Sequence, residues 1–306
     1  PDVRDALADQ DGLYTVVEQE AEPAHRVVGA LTSVLVAPED PEAVFARILS
    51  PDLRMVTVTV TEKGYCLTTE GELDLDHPEI RADLRNPRRP KTLVGWLVEG
   101  ARRRWEAGME PLLVMSCDNL SSNGVKLQAA CVAYAHACKA DGLAARLESR
   151  TVFPNTMVDS ITPATDDALR ADVAEVLGLQ DAWPVQRERY VQWVVEDCVG
   201  AHAEAFERAG VTLARDVASF ERAKLRLLNG AHSTLAYVGL ELGYQTVSQA
   251  MGDKRLAGFV ERLMREEVAP LLEAPELDVP AYIGEILVRF RNPAIAHRLS
   301  QIAWDG

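Results

Sequence analysis

The chain of 306 residues carries 47 acidic against 32 basic side chains, a formal charge of −15, with 47% hydrophobic and 26% charged residues. At ~150 residues per domain this is a two-domain length, with the composition of a soluble globular protein that can bury a sizeable core. The acidic balance argues against a nucleic-acid or anionic-membrane partner, because both need a basic face to displace counterions.

The opening PDVRDALADQDG is acidic and polar, unlike a signal peptide, and begins at Pro1 rather than at a methionine. YTVVEQE (14–20) and RVVGALTSVLVA (26–37) are β-rich, and PEDPEAVFARILS (38–50) reads as a short helix opened by prolines and acids. RMVTVTVTEKGYCLTT (54–69) is strongly β-branched, with a TVTV core typical of a strand covered on both faces. TLVGWLVEGARRRWEAG (92–108) predicts a helix closing on Gly108, and PLLVMSCDN (111–119) a buried strand ending in polar residues. The group LSSNG then leads into a helix through VKLQAACVAYAHACKADG with a glycine stop at Gly142. TVFPNTMVDSITP (151–163) is strand-like, and RERYVQWVVEDCVG (187–200) carries the last β-like run. Helical periodicity dominates afterwards, near 201–209, 216–243, 246–251, 253–273 and 281–290.

The alternation of strand and helix predicts an α/β class: a Rossmann-like, mostly parallel sheet domain over 1–200, followed by a mainly α-helical domain over 201–306. In such sheets ligands bind beyond the carboxyl ends of the strands, here TEKGY, SCDN and FPNTMVD. No run of about 18 apolar residues occurs, so no membrane span is expected. Cys66, Cys117, Cys131, Cys138 and Cys198 are scattered without a CxxC spacing, which fits a reducing, cytoplasmic compartment and no metal site.

The segment FERAKLRLLNGAHSTLAYVG (220–239) is the most informative. Advancing about 100° per residue from Lys224 puts Glu221 near 60°, His232 near 80° and Asn229 near 140°. Leu225, Leu228 and Leu235 share that arc, so the polar groups sit within or beside an apolar face and must meet each other or a polar ligand. A desolvated Lys224 would serve as a general base towards an alcohol, with Asn229 and His232 orienting substrate oxygens. A solvated helix face with an incidental lysine fits the same spacing. Lysine is scarce, however, six residues against twenty-six arginines. Asn119 reads either as a helix cap or as an oxyanion donor, and Asp159 either as a turn residue or as an acceptor for a substrate hydroxyl.

SCDNLSSNG, TVFPNTMVDSITPAT, WVVEDC and above all KLRLLNGAHS resemble the signature stretches of the mannitol dehydrogenase family of long-chain dehydrogenases and reductases. The last contains the family's KxxxxNxxH pattern as Lys224, Asn229 and His232, and DALADQDGLYTVVE and TVTEKGY are similar to further family stretches. The resemblance implies an NAD-dependent, metal-independent oxidoreductase, with NADP as an alternative, that interconverts a secondary alcohol of an acyclic polyol with its ketone. It makes Lys224 the base, Asn119 and Asn229 the donors to the developing alkoxide, and His232 and Asp159 the residues that hold substrate hydroxyls. Glu62 and Glu221 match positions beside the site, and Thr61, Glu62, Ser116 and Asn119 are assigned to the cofactor.

The chain has no GxGxxG, whereas the family carries a glycine-rich phosphate loop near its amino terminus. These residues are therefore expected to be an internal portion lacking that loop and the carboxyl-terminal end of the family, monomeric or weakly oligomeric. A hexuronate reductase acting on fructuronate or tagaturonate is the alternative within the family. A truncated, catalytically silent binding protein is the alternative outside it.

Overall fold

The computed structural model describes residues 2–295 and 297–305. Among them run the strands β1 (Tyr14–Glu18), β2 (Ala24–Val28), β3 (Met55–Val58), β4 (Leu113–Ser116), β5 (Thr156–Asp159), β6 (Val185–Arg187), β7 (Gln192–Glu196) and β8 (Thr212–Ala214). They form small sheets in the orders β2-β1-β6, β3-β4 and β5-β7-β8. The β1–β6, β3–β4 and β7–β8 pairs are parallel, and β1–β2 is antiparallel. All four residues of β4 are buried, which accounts for its unbroken apolar sequence.

The chain folds as two compact units. One gathers Leu35–Val158 and Gln192–Val217; the other gathers Pro1–Val34, Asp159–Val191 and Ala218–Gly306. This spatial partition differs from the linear division at residue 200, because β1 pairs with β6 and the 159–191 segment is ion-paired to Arg289 of the helix Val279–Arg291.

In the first unit β3 and β4 pack with the helices Leu93–Glu106 and Asn123–Ala137 around a core that includes Val58, Tyr65, Leu127 and Tyr134. Polar residues close it. The Asn123 side chain donates to the carbonyls of Asp118 at 3.2 Å and Thr156 at 3.0 Å, and accepts from the Thr156 N–H at 2.9 Å. Asn155 accepts from the Gly124 N–H at 3.1 Å and donates from its backbone and side-chain nitrogens to Glu196, both at 2.9 Å. The start of the helix Asn123–Ala137 is thereby drawn onto the 153–154 backbone. A Cβ on Gly124 would lie 2.5 Å from the Phe153 and Pro154 carbonyl oxygens. Gly124→Ala is accordingly expected to cost about 1–3 kcal/mol, read as a lowered unfolding midpoint, because the obstructing atoms are backbone. An unchanged midpoint would show that this helix start can retreat.

Several expected boundaries shift. The strand predicted over 54–69 ends at Val58; the Asp118 carboxylate accepts from the Val60 N–H at 2.9 Å, and a short 3-10 turn spans Glu62–Tyr65. Of the second β-rich run only residues 26–28 lie in a strand, β2; Leu31 and Leu35 beyond it are exposed. Gly142 does not stop the helix that precedes it. That helix ends before Cys138, Lys139 takes a left-handed φ of 58°, and Gly142 lies in a further helix, Asp141–Ser149. The helices Pro78–Arg85 and Asp167–Leu177 and the strand β8 were not expected, since each buries too few residues to leave a periodic signal.

The second unit carries the helices Val217–Ala223, Gly230–Glu241, Val247–Gly252, Lys254–Arg262, Val279–Arg291 and Leu299–Asp305. Leu227, Leu228, Leu235, Ile283, Ile286 and Phe290 belong to its core. The helix expected over 216–243 is continuous, but its middle, Lys224–Asn229, is a π-helical segment. The 100° count therefore fails across those six residues. Leu228 and Leu235 are buried as the arc requires, whereas Leu225 is 51% exposed.

Candidate functional site

The π-helical segment begins at Lys224 and ends at Asn229, two residues singled out by the sequence. Hydrogen bonds that reach five residues along bring positions five apart onto one side of the helix, and such wide turns occur often at functional sites. Lys224 is half-buried and Asn229 exposed. Burial lowers the Lys224 amine below the usual lysine range; Asp159 raises it, Arg289 lowers it and Glu221 raises it. The desolvation expected from the sequence thus outweighs the neighbouring carboxylates.

His232 is 9% exposed, in the regular helix just beyond the wide turn. Its ring lies against Phe290, with centroids 4.5 Å apart, and meets His297 edge-on at 4.9 Å. Its Nε2 is buried without a hydrogen-bond partner among the described residues. Burial, then His297 and Arg289, push its pKa down to about 3, so the imidazole is neutral at physiological pH. The unfolded histidine, near 6.5, binds a proton that the folded one refuses. The associated stability is present above pH ~6.5 and lost as pH falls towards 3. Between pH 7 and 4.5 the loss amounts to about 2–3 kcal/mol. His232→Phe is expected to flatten the urea-unfolding free energy over that interval relative to the unmodified protein. Identical slopes would contradict the buried neutral ring.

Asp159, at the carboxyl end of β5, is buried and held by Arg289 of the helix Val279–Arg291. The guanidinium donates to the two Asp159 oxygens at 2.7 and 2.9 Å and to both oxygens of Glu188 at 2.9 and 2.7 Å. Tyr282 donates to Asp159 at 3.5 Å, and the Arg289 guanidinium lies 4.2 Å over the Tyr190 ring. Burial pulls Arg289 down, but the hydrogen bonds to Asp159 and Glu188 outweigh it and hold the guanidinium charged. Sequence reasoning missed Arg289, Glu188, Tyr190, Tyr282 and His297. The available signal was Arg289 itself, seven residues after Tyr282 and three after Ile286, a cation on an otherwise apolar helical stripe.

The remaining candidates lie in the first unit. Thr61, Glu62 and Asn119 are exposed beyond the carboxyl ends of the parallel strands β3 and β4. Ser116 is fully buried at the end of β4; its hydroxyl meets Tyr65 at 2.6 Å, and its carbonyl accepts from Thr156. Burial first, then the Asp118 hydrogen bond, push the Tyr65 phenol upward. An apolar cavity of about 320 Å³, lined by Val58, Trp96, Leu97, Val114 and Phe153 among others, presents no carboxylate, amide or histidine and does not suit a hydroxyl-rich ligand. Cys66, His77 and Glu79 bring potential metal-ligand atoms within 4.8 Å of one another. His77 Nδ1 accepts from the Glu79 N–H at 3.3 Å and caps the helix Pro78–Arg85, and burial pushes the Cys66 thiol up. No helix among the described residues is long and apolar enough to cross a membrane.

Residues 1–206 match the family model "Mannitol dehydrogenase Rossmann domain" and residues 216–306 the "Mannitol dehydrogenase C-terminal domain". The chain is 40% identical over 307 residues to a mannitol dehydrogenase of Saccharomyces cerevisiae, covering 99% of this chain and 61% of that protein. It is also 40% identical over 312 residues to the mannitol 2-dehydrogenase of Aspergillus fumigatus, covering 99% and 62%. A crystal structure of D-sorbitol dehydrogenase in substrate-free form superposes with a TM-score of 0.91 at 36% identity, covering 98% of this chain and 63% of that one. The ternary complex of Pseudomonas fluorescens mannitol 2-dehydrogenase with NAD and D-mannitol superposes with a TM-score of 0.86 at 37% identity, covering 98% and 62%. The chain thus spans somewhat over three fifths of the length of these relatives.

Proposed function

The chain belongs to the mannitol dehydrogenase family, and on that premise we propose that the protein is an NAD-dependent oxidoreductase. It interconverts a secondary alcohol of an acyclic polyol, of mannitol or arabinitol type, with the corresponding ketose, without a metal and with Lys224 as general base. The observation that carries this reading is the Lys224 amine, lowered by burial at the start of a π-helical turn, with Asp159, Glu221 and Arg289 around it. A neutral fraction of that amine can take a proton from an alcohol.

The fit to NAD rests on Thr61, Glu62 and Asn119, exposed beyond the carboxyl ends of β3 and β4, where open α/β sheets take ligands. Ser116 holds the end of β4 that carries Asn119. In this reading residues 1–200 bind the cofactor and contribute Asp159 to the substrate, and residues 201–306 serve substrate binding and proton transfer. Bound NAD supplies the acceptor for a hydride leaving the alcohol carbon.

Lys224 removes the hydroxyl proton as that hydride leaves, so the oxygen passes from alcohol to carbonyl without a free alkoxide in water. Asn229 is assigned an amide N–H donated to that oxygen, and Asn119 the same role on the cofactor side. His232, neutral and with no partner for Nε2 among the described residues, can donate to or accept from a substrate hydroxyl according to its tautomer. Asp159 accepts from Arg289 on each oxygen and from Tyr282 on Oδ2, which leaves a second acceptor site on Oδ1 for a substrate hydroxyl. The cysteines among the described residues are all free, which supports a cytoplasmic placement.

The test is a titration of the full-length protein with NADH, followed by nicotinamide fluorescence. Turnover is then assayed on mannitol, arabinitol, sorbitol, fructuronate and tagaturonate with NAD and NADP, with and without a chelator. Binding of NADH and chelator-insensitive oxidation of a polyol are expected. Failure of the full-length protein to bind NADH would overturn the dehydrogenase reading, and turnover confined to the hexuronates would overturn the polyol assignment.

A further inference from the structure

Glu188, Arg289 and Asp159 form a buried ion triad whose members come from three separate segments. Their side chains are 3–4% exposed, and four N–H bonds of one guanidinium end on two carboxylates. Glu188 also accepts from the Ile161 N–H at 2.6 Å, which ties the triad to the loop after β5. The triad carries one net negative charge.

Three charged groups act on the Lys224 amine: Glu221 from its own helix, Asp159 from the end of β5 and Arg289 from the helix Val279–Arg291. Two of these three belong to the triad. As a brace alone the arrangement would be a poor one, since apolar residues of similar volume stabilise a core as well or better than a buried ion triad. Its placement gives it other work.

We propose that Glu188 and Arg289 are positioning residues for Lys224: Arg289 fixes the Asp159 carboxylate and offsets its charge, while Glu188 holds Arg289 and sets how far that offset goes. The inference rests on Lys224 being the base, and neither residue needs to touch substrate. Neutralising Glu188 leaves Arg289 less compensated, so the positive field at Lys224 grows and its ammonium form is disfavoured. Removing the Arg289 charge leaves two carboxylates uncovered, and the ammonium form is favoured. The two substitutions therefore act in opposite directions, which a purely structural role would not produce.

The experiment is a ¹³C NMR titration of the full-length protein labelled at lysine Cε. The chain itself contributes only six lysines, and Lys224→Arg identifies the resonance. Glu188→Gln is expected to move the Lys224 titration down by about one pH unit, and Arg289→Gln to move it up by a similar amount. Where Arg289→Gln does not fold, the nearly isosteric Glu188→Gln decides alone. A Lys224 titration unmoved or raised in folded Glu188→Gln overturns the proposal.

The pH profile of kcat/KM for polyol oxidation should follow the same directions, because the rate rises as Lys224 loses its proton. The NMR readout needs no turnover. Shifts of opposite sign in a protein without dehydrogenase activity would therefore overturn the functional reading and leave the charge coupling standing. Activity with an unmoved titration in folded Glu188→Gln would do the reverse.

Discussion

Lys224→Ala is expected to lower the proposed polyol turnover by about 10²–10⁴, the usual scale for loss of a general base, while NADH binding should persist. The substitution removes the only lysine in the segment 140–253, and with it the amine lowered by burial. It leaves Thr61, Glu62 and Asn119, proposed for the cofactor, untouched. The loss should fall on kcat and on kcat/KM together, as for an interaction made only in the transition state. Added small primary amines should restore part of the rate to the alanine variant, since the cavity left behind can admit a substitute base. Full turnover in Lys224→Ala would remove the residue from the role, whereas lost NADH binding would place it on the cofactor instead.

The second large effect is on stability. Arg289→Met is expected to cost about 3–5 kcal/mol, read from the urea midpoint at pH 7, because it strands two carboxylates that are each about 4% exposed or less. The methionine fills much of the arginine stem's volume, so the cost lies in uncompensated charge rather than in a cavity. Adding Asp159→Asn and Glu188→Gln to Arg289→Met should therefore recover most of the loss, although each of those changes removes part of the native bonding. A loss below about 1 kcal/mol for Arg289→Met alone would mean that water reaches the carboxylates when the guanidinium is gone.

The fold was legible wherever burial writes a period into the chain. LVMS, the long helix after residue 92 and the apolar side of 279–291 are strong local signals. The short helices Pro78–Arg85 and Asp167–Leu177 bury two residues each and left none. At the candidate site, Lys224, Asn229 and His232 could be placed on one helix because they are close in sequence. The Asp159–Arg289 pair joins residues 130 apart and the Glu188–Arg289 pair residues 101 apart, and no local pattern encodes such a partner. The family signatures also mixed two kinds of residue. Asn123, Asn155 and Glu196 in those stretches hold backbone together, whereas the Lys224 segment carries the candidate chemistry.

The π-helical turn at Lys224–Asn229 makes the length of this helix as informative as its composition. An i→i+5 ring accommodates one residue more than a regular turn does. Deleting a single residue between Leu225 and Leu228 would let the segment relax into ordinary helix without breaking it. The faces before and after the deletion would keep their mutual register, because the wide turn already absorbs the extra residue. The shortened chain would gain in helical regularity and lose the wide turn between Lys224 and Asn229. Among related chains, a one-residue gap at this point should therefore cost the fold little, and the extra residue should be kept only where the wide turn beside the lysine is used.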